Sequence, residues 1–175
     1  YGSSTGYTTF ASSNTTATNY TITFPAATSA VSVAGAASAI FGPMNPTGSS
    51  NTGTYIMMGL GSTVKITPSV YGIVRVTFRG NLSNDTALDG VQVLTKYGTG
   101  TAPANGAGTS GTTVGDVSMV SSVSTGGQKY PFCNDILITG LTPGTAYWFD
   151  LDMNVITGGT GTVVNCTAIV QELPY

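Results

Sequence analysis

Beyond residue 50, apolar and polar residues alternate one by one along much of the chain. The clearest run is 72–80, where Val74, Val76 and Phe78 share one face and Ile73, Arg75, Thr77 and Arg79 the other. A period of two is that of a strand with one side turned to a core. After the turn-forming cluster at 81–85, Val91, Val93, Thr95 and Tyr97 alternate with Gln92, Leu94 and Lys96. Val117, Met119 and Ser121 mark another strand, and further runs cover 132–138, 147–155 and 162–171. A glycine-bearing hairpin loop at 157–161 joins the last two. Earlier, an apolar run at 55–60 lies between Gly53 and Gly61, and Val64, Lys65 and Ile66 lead into Pro68. A long loop at 98–113 carries several glycines, Pro103 and no charge. No stretch sustains a helical period with caps. About eight to ten short strands with frequent turn signals predict an all-β fold: a two-sheet antiparallel sandwich, jelly-roll-like.

The first 50 residues read differently. Residues 1–19 are rich in Ser, Thr, Asn and Gly and almost without aliphatic side chains, a composition that suits an extended arm. Alternation begins at Tyr20-Thr21-Ile22-Thr23-Phe24, Ala30-Val31-Ser32-Val33 follows, and 42–48 is dense in turn formers. The expected organisation is therefore an N-terminal arm or lead-in strands over 1–50 and a β-sandwich domain over 51–175.

Composition narrows the function. Of 175 residues, 41% are hydrophobic and only 7% charged, against about 25% charged in ordinary globular chains. The surface must be built from Ser, Thr, Asn, Gly and Gln. A net charge of −2 with five scattered basic residues argues against nucleic acid, whose backbone is met by clustered Lys and Arg. Only Arg75 and Arg79 share a strand face, as solvated or interface side chains. No window approaches the apolar length of a membrane helix, and no start Met or leader pattern is visible. Cys133 and Cys166 lack metal spacing; each sits in a strand-like run, as a buried free thiol or as half of a disulfide between strands.

Two local patterns carry a resemblance. Leu141-Thr142-Pro143-Gly144-Thr145-Ala146-Tyr147 resembles the tyrosine corner of fibronectin type III domains, in which the ring is buried and the hydroxyl satisfies nearby backbone; such a domain would leave much of this chain unexplained. A broader match runs through Ile66-Thr67-Pro68, Gly72-Ile73-Val74-Arg75-Val76-Thr77, Asp89-Gly90-Val91-Gln92-Val93, Tyr97-Gly98-Thr99-Gly100, Ala102-Pro103-Ala104-Asn105-Gly106 and 140–150. From Ile66 onward the chain resembles phage virion β-sandwich proteins, a group of head decoration, tail fibre and receptor-binding domains with jelly-roll or TNF-like folds. The resemblance implies a trimer mounted on a head or tail.

Catalytic chemistry has few resources here. The chain holds no histidine, which removes the imidazole base and the Ser-His and Cys-His nucleophile pairs. The glycine-rich loop at 106–111 lacks the Lys and helix of a phosphate-binding loop. Asp150 and Asp152 lie two apart on one strand face, about 6.5–7 Å from each other. Such a pair suits a solvated or interface position, a bound cation or, least of all, a glycosidase. Asn84, Asp85 and Asp89 read as turn formers before Ca²⁺ ligands, and Glu172 is the only glutamate. Trp148 stands between Tyr147 and Phe149 and must face away from them: packed in the core, at an interface, or exposed as a sugar platform. The sequons at Asn14, Asn19, Asn81, Asn84 and Asn165 matter only in a eukaryotic secreted protein.

The sequence thus predicts a non-enzymatic virion structural protein without cofactor or metal. It would be extracellular in the virion and assemble as a homotrimer with major capsid or tail proteins and, in some settings, a host-surface glycan. The alternative is a secreted carbohydrate-binding or adhesion module. Trp148, Arg75 and Arg79 are the candidate ligand or interface residues, and Cys133 and Cys166 the candidate disulfide.

Overall fold

The computed structural model describes residues 9–11, 21–23, 37–46, 49–50, 53–120 and 123–174. The chain divides into two units, Tyr1–Gly35 and Ala36–Tyr175. In the first, β1 (Thr9–Ala11) pairs antiparallel with β2 (Thr21–Thr23), Phe10 opposite Ile22. The expected strand at 30–33 and most of the expected arm lie outside the described residues.

The second unit contains β3 (Ser38–Met44), β4 (Ser49–Ser50), β5 (Ile56–Met57), a single 3-10 turn (Leu60–Ser62), β6 (Lys65–Ile66), β7 (Val74–Asn84), β8 (Gly90–Thr99), β9 (Thr112–Val120), β10 (Lys129–Ile138), β11 (Tyr147–Ile156) and β12 (Gly161–Glu172). β3 and β4 both pair with β12, so residues 38–44 and 49–50 belong to a sheet of the sandwich. The division of the chain falls after Gly35 and not at residue 50.

The pairings are nested. β8 pairs with β9 and β7 with β10; outside them the β5 and β6 segments pair with β11, and β3 with β12. This is one long antiparallel ribbon folded at β8–β9. Rolling the ribbon brings β12 beside β7 and β11 beside β8, which splits it into two sheets. One runs β10-β7-β12-β3 and the other β5-β11-β8-β9, with β6 also on β11. That order is the double Greek key of a jelly roll. The fold is all-β, two antiparallel sheets packed face to face.

Alternation explains which sides meet. Val74, Val76, Phe78 and Leu82 of β7 and Val163, Cys166, Ala168 and Val170 of β12 point inward from the β7 sheet. Val91 and Val93 of β8 and Phe149, Leu151 and Met153 of β11 meet them from the β8 sheet. The tyrosine corner forms as its pattern implied: the Tyr147 ring is buried and its hydroxyl accepts the Thr142 N–H at 3.0 Å. The strand order around it is that of a jelly roll, so the corner is shared local chemistry and not a sign of the type III fold.

The apolar run at 55–60 is not one strand. Only Ile56 and Met57 pair with β11; the chain then turns at Gly59 (φ 72°) and re-enters as β6. Among the described residues there is no α-helix, and no helix is long and apolar enough to cross a membrane.

Candidate functional site

β11 is buried on both faces from Tyr147 to Val155. Odd positions face the core. Even positions, Trp148, Asp150, Asp152 and Asn154, lie on the outer face, opposite Gly98, Lys96, Leu94 and Gln92 of β8. What covers them is a lid of two segments, residues 53–63, which carry β5 and the 3-10 turn, and residues 102–111. The segments are laced together: Met57 N–H donates to Ala107 O at 2.8 Å, Gly106 N–H to Met57 O at 2.8 Å, and Asn105 Nδ2 to Met58 O at 2.7 Å.

Trp148 is 3% exposed, so it offers no platform to a sugar. Three glycines make room for it: a Cβ at Gly98 or Gly111 would run into the indole, and one at Gly61 would press on it at 3.3 Å. Its Nε1 donates to Thr99 O at 3.1 Å. Of the readings open for Trp148, packing within the chain is the one the fold realises, because the 102–111 segment folds over it.

The next three side chains form a buried polar stripe. Asp150 Oδ1 accepts the N–H groups of Leu60 (3.0 Å) and Leu151 (2.7 Å), while Oδ2 has no partner among the described residues. Burial pushes the Asp150 carboxyl up to about 6, against the pull of backbone N–H groups at Leu151, Leu60, Gly61 and Gly59. Asp152 Oδ2 accepts the Thr109 hydroxyl and lies 3.5 Å from Lys96 Nζ, but its Oδ1 has no partner. Lys96 Nζ also donates to Thr113 Oγ1 at 2.6 Å. Asn154 Nδ2 donates to Gly53 O at 3.2 Å, and its Oδ1 is unpartnered. The Tyr55 hydroxyl is raised by burial and then by the Asp152 charge. The carboxylate pair therefore sits beneath a lid with a lysine, not in an open groove. Among the described residues no group of three or more His, Cys, Asp or Glu is placed to hold a metal ion.

The second region is the outer face of the β7 sheet. Registers place Leu137, Arg75, Gln171 and Ser38 in one row, Asp135, Thr77, Ile169 and Ile40 in the next, and Cys133, Arg79 and Thr167 in a third. Arg75 grips Asp135 with two nitrogens, Nε to Oδ1 at 2.8 Å and Nη2 to Oδ2, and Thr77 Oγ1 adds a third bond at 3.0 Å. The Arg75 hydrogen bonds, against some desolvation, bring the Asp135 carboxyl down to about 2. Arg75, Thr77, Arg79, Ile169 and Gln171 line a shallow hollow of about 160 Å³. A wider groove of about 440 Å³ runs where β9 and β10 meet, from Gly115 to Ser118 and from Cys133 to Leu137. Ile40 is 73% exposed and Leu137 57%.

Both cysteines are free. Cys133 is exposed beside Arg79 on the outer face, and Cys166 is buried in the core with β7 between the two strands. They face opposite sides of one sheet, which rules out the alternative of a bridge within the chain and leaves two free thiols, of which Cys133 is exposed and not buried as expected. Burial, with a smaller push from Asp150, takes the Cys166 thiol up to about 12. The acidic turn is organised by its own side chains. Asn84 Nδ2 donates to Gly90 O and Gly158 O, and Asp85 Oδ1 accepts Thr160 N–H and Thr86 Oγ1.

Sequence reasoning missed Glu172. Its carboxylate, buried at the end of β12, accepts five hydrogen bonds: Ala37 N–H, Ser69 N–H and Oγ, Val70 N–H and Tyr71 N–H, at 2.7 to 3.1 Å. It ties the entry to β3 and the loop before β7 to β12. A lone glutamate in a chain with so few charges was the available signal.

No family model matches the chain, and no curated protein matches it. Among solved structures, it is similar to Eiger TNF from S. frugiperda (10% identity, TM-score 0.40, 63% of this chain and 64% of that one). It is also similar to chains of infectious bursal disease virus, Gx strain (10% identity, TM-score 0.48, 87% and 35%) and Gt strain (11% identity, TM-score 0.47, 87% and 36%). The chain spans less than two thirds of each of these chains.

Proposed function

We propose that this chain is a non-enzymatic structural protein of a virion, a capsid decoration or fibre-type component that assembles as a trimer. The observation that carries the reading is the outer face of the β7 sheet. Four strands there present exposed Ile40 and Leu137 and half-buried Ile169 among Arg75, Thr77, Arg79 and Gln171, and the Arg75–Asp135 pair is satisfied within the chain. A broad face with exposed apolar residues and little uncompensated charge suits burial against protein. With only 7% charged residues, copies repel one another weakly and pack closely. Its partners would be other copies of itself and the major capsid or tail proteins, outside the host cell. The sugar-binding alternative loses the residue on which it was built, since Trp148 is enclosed.

Electron microscopy of native particles labelled with an antibody against this chain tests the assignment. Label repeating on an icosahedral or tail lattice is expected. Label confined to soluble secreted material, with none on particles, would remove the virion reading.

A further inference from the structure

We propose that Lys96 and Asp152 condense into an intramolecular isopeptide bond, with the Asp150 carboxyl moving the protons. The geometry points to this because three requirements of that chemistry meet under the lid. The nucleophile and electrophile are in place: Lys96 Nζ lies 3.5 Å from Asp152 Oδ2, and the two side chains are 8% and 1% exposed. A second carboxyl is at hand, since Asp150 stands directly opposite Lys96 in the β8–β11 register and its Oδ2 is unpartnered. Water, which would reverse the reaction, is excluded by the segments 53–63 and 102–111.

The hydrogen-bond inventory favours the product over the ion pair. A buried pair of opposite charges gains from its mutual attraction only when its remaining donors and acceptors are satisfied. Here Lys96 Nζ has three donors and, among the described residues, one acceptor besides Asp152, Thr113 Oγ1. Asp152 Oδ1 accepts nothing. Condensation removes these deficits together. The product amide has one N–H, for which Thr113 Oγ1 is already in place. The oxygen that accepts the Thr109 hydroxyl stays as the amide carbonyl, and the unpartnered oxygen leaves as water.

The step balances without any outside reactant. Within the ion pair a proton passes from the Lys96 ammonium to the Asp152 carboxylate, giving a neutral amine and a neutral acid. Nζ then attacks Asp152 Cγ and a C–N bond forms. Asp150 receives a proton from the nitrogen and returns one to the departing hydroxyl as the C–O bond breaks. One water is released, and Asp150 ends in its starting state. A carboxyl poised near pH 6 by burial can perform both transfers. Held on adjacent strands, the reacting groups meet at high effective concentration. The inference does not depend on the virion reading.

The test is the intact mass of the full 175-residue chain under denaturing conditions. The wild type is expected to weigh less than its sequence by one water, about 18 Da. Fragment spectra should join the peptide bearing residue 96 to that bearing residue 152. Lys96→Arg should return to the sequence mass, and so should Asp150→Asn when it retains the native circular dichroism spectrum. Folded wild type at its full sequence mass overturns the bond. A water loss that persists in Lys96→Arg also overturns it, because it would come from an aspartyl succinimide elsewhere. A water loss that persists in Asp150→Asn overturns the role of Asp150.

Discussion

Glu172 and Asp150 are both carboxylates withdrawn from water on strands of a two-sheet sandwich, yet their surroundings are opposite. Around Glu172 the backbone is organised to serve the charge: four N–H groups and a hydroxyl converge on it. Burial alone would raise its carboxyl, but these donors outweigh burial and hold it well below the usual range. Around Asp150 burial wins, one oxygen is left without a partner, and the carboxyl rises to about 6. The first residue is a clamp whose charge the fold needs. The second belongs to a stripe that the fold encloses but does not satisfy, and unsatisfied polar groups are where chemistry is to be sought.

The largest effect should come from Glu172→Gln. Both oxygens of Glu172 accept backbone N–H groups, so an amide must turn its NH₂ toward donors in either orientation. A loss of about 3–5 kcal/mol in urea unfolding is expected. A loss below about 1 kcal/mol would show that the clamp is not the structural opposite of the stripe.

The pH dependence of stability should show both carboxylates, with opposite signs. Glu172 is depressed from its usual 4.5, so its contribution is present above that pH and is lost as pH falls below it. Asp150 is raised from 3.8 to about 6, so the unfolded chain ionises first. Stability is greatest below about pH 4 on this account and declines through pH 6, on the order of 3 kcal/mol in all. Together they predict a maximum between pH 4 and 5, read from urea midpoints. The decline above it should persist in Lys96→Arg and vanish in Lys96→Arg/Asp150→Asn. A profile flat from pH 4 to 7 would remove the contrast.

The smallest effect belongs to the exposed face. Arg75→Ala breaks an ion pair whose partners are 52% and 39% exposed, and should leave the urea midpoint nearly unchanged. It should also move the Asp135 carboxyl up from about 2 toward its usual 3.8, measurable by NMR titration. A cost comparable to that of Glu172→Gln would mean that this face is a structural core and not a docking surface.

The difference between the two regions also explains what the sequence disclosed. Alternation in β7 and β8 was legible because one face of each meets the other sheet; Val74, Val76, Phe78, Val91 and Val93 are all buried as their period requires. Arg75 and Arg79 point outward as expected, while Thr77, expected on that exposed face, is withdrawn beside Asp135. The stripe was not legible. Period two says that Trp148, Asp150 and Asp152 share a face, but the cover comes from glycine-rich segments with no period of their own. Gly61, Gly98 and Gly111 mark the space for Trp148 only once the strands are paired. The role of Glu172 was hidden for a similar reason: its isolation marked it out, but four of its donors are main-chain groups that leave no trace in side-chain pattern. The disulfide failed on facing: two cysteines in strand-like runs carry no record of which side of the sheet each takes.

Self-association through the exposed face is the point on which the functional account rests, and the mass of the chain in solution tests it most directly. Light scattering at high protein concentration should give the mass of three chains for the wild type, and a single-chain mass for Ile40→Glu/Leu137→Glu with an unchanged circular dichroism spectrum. A wild type that stays monomeric at every concentration, or a double variant that trimerises as readily, would contradict it.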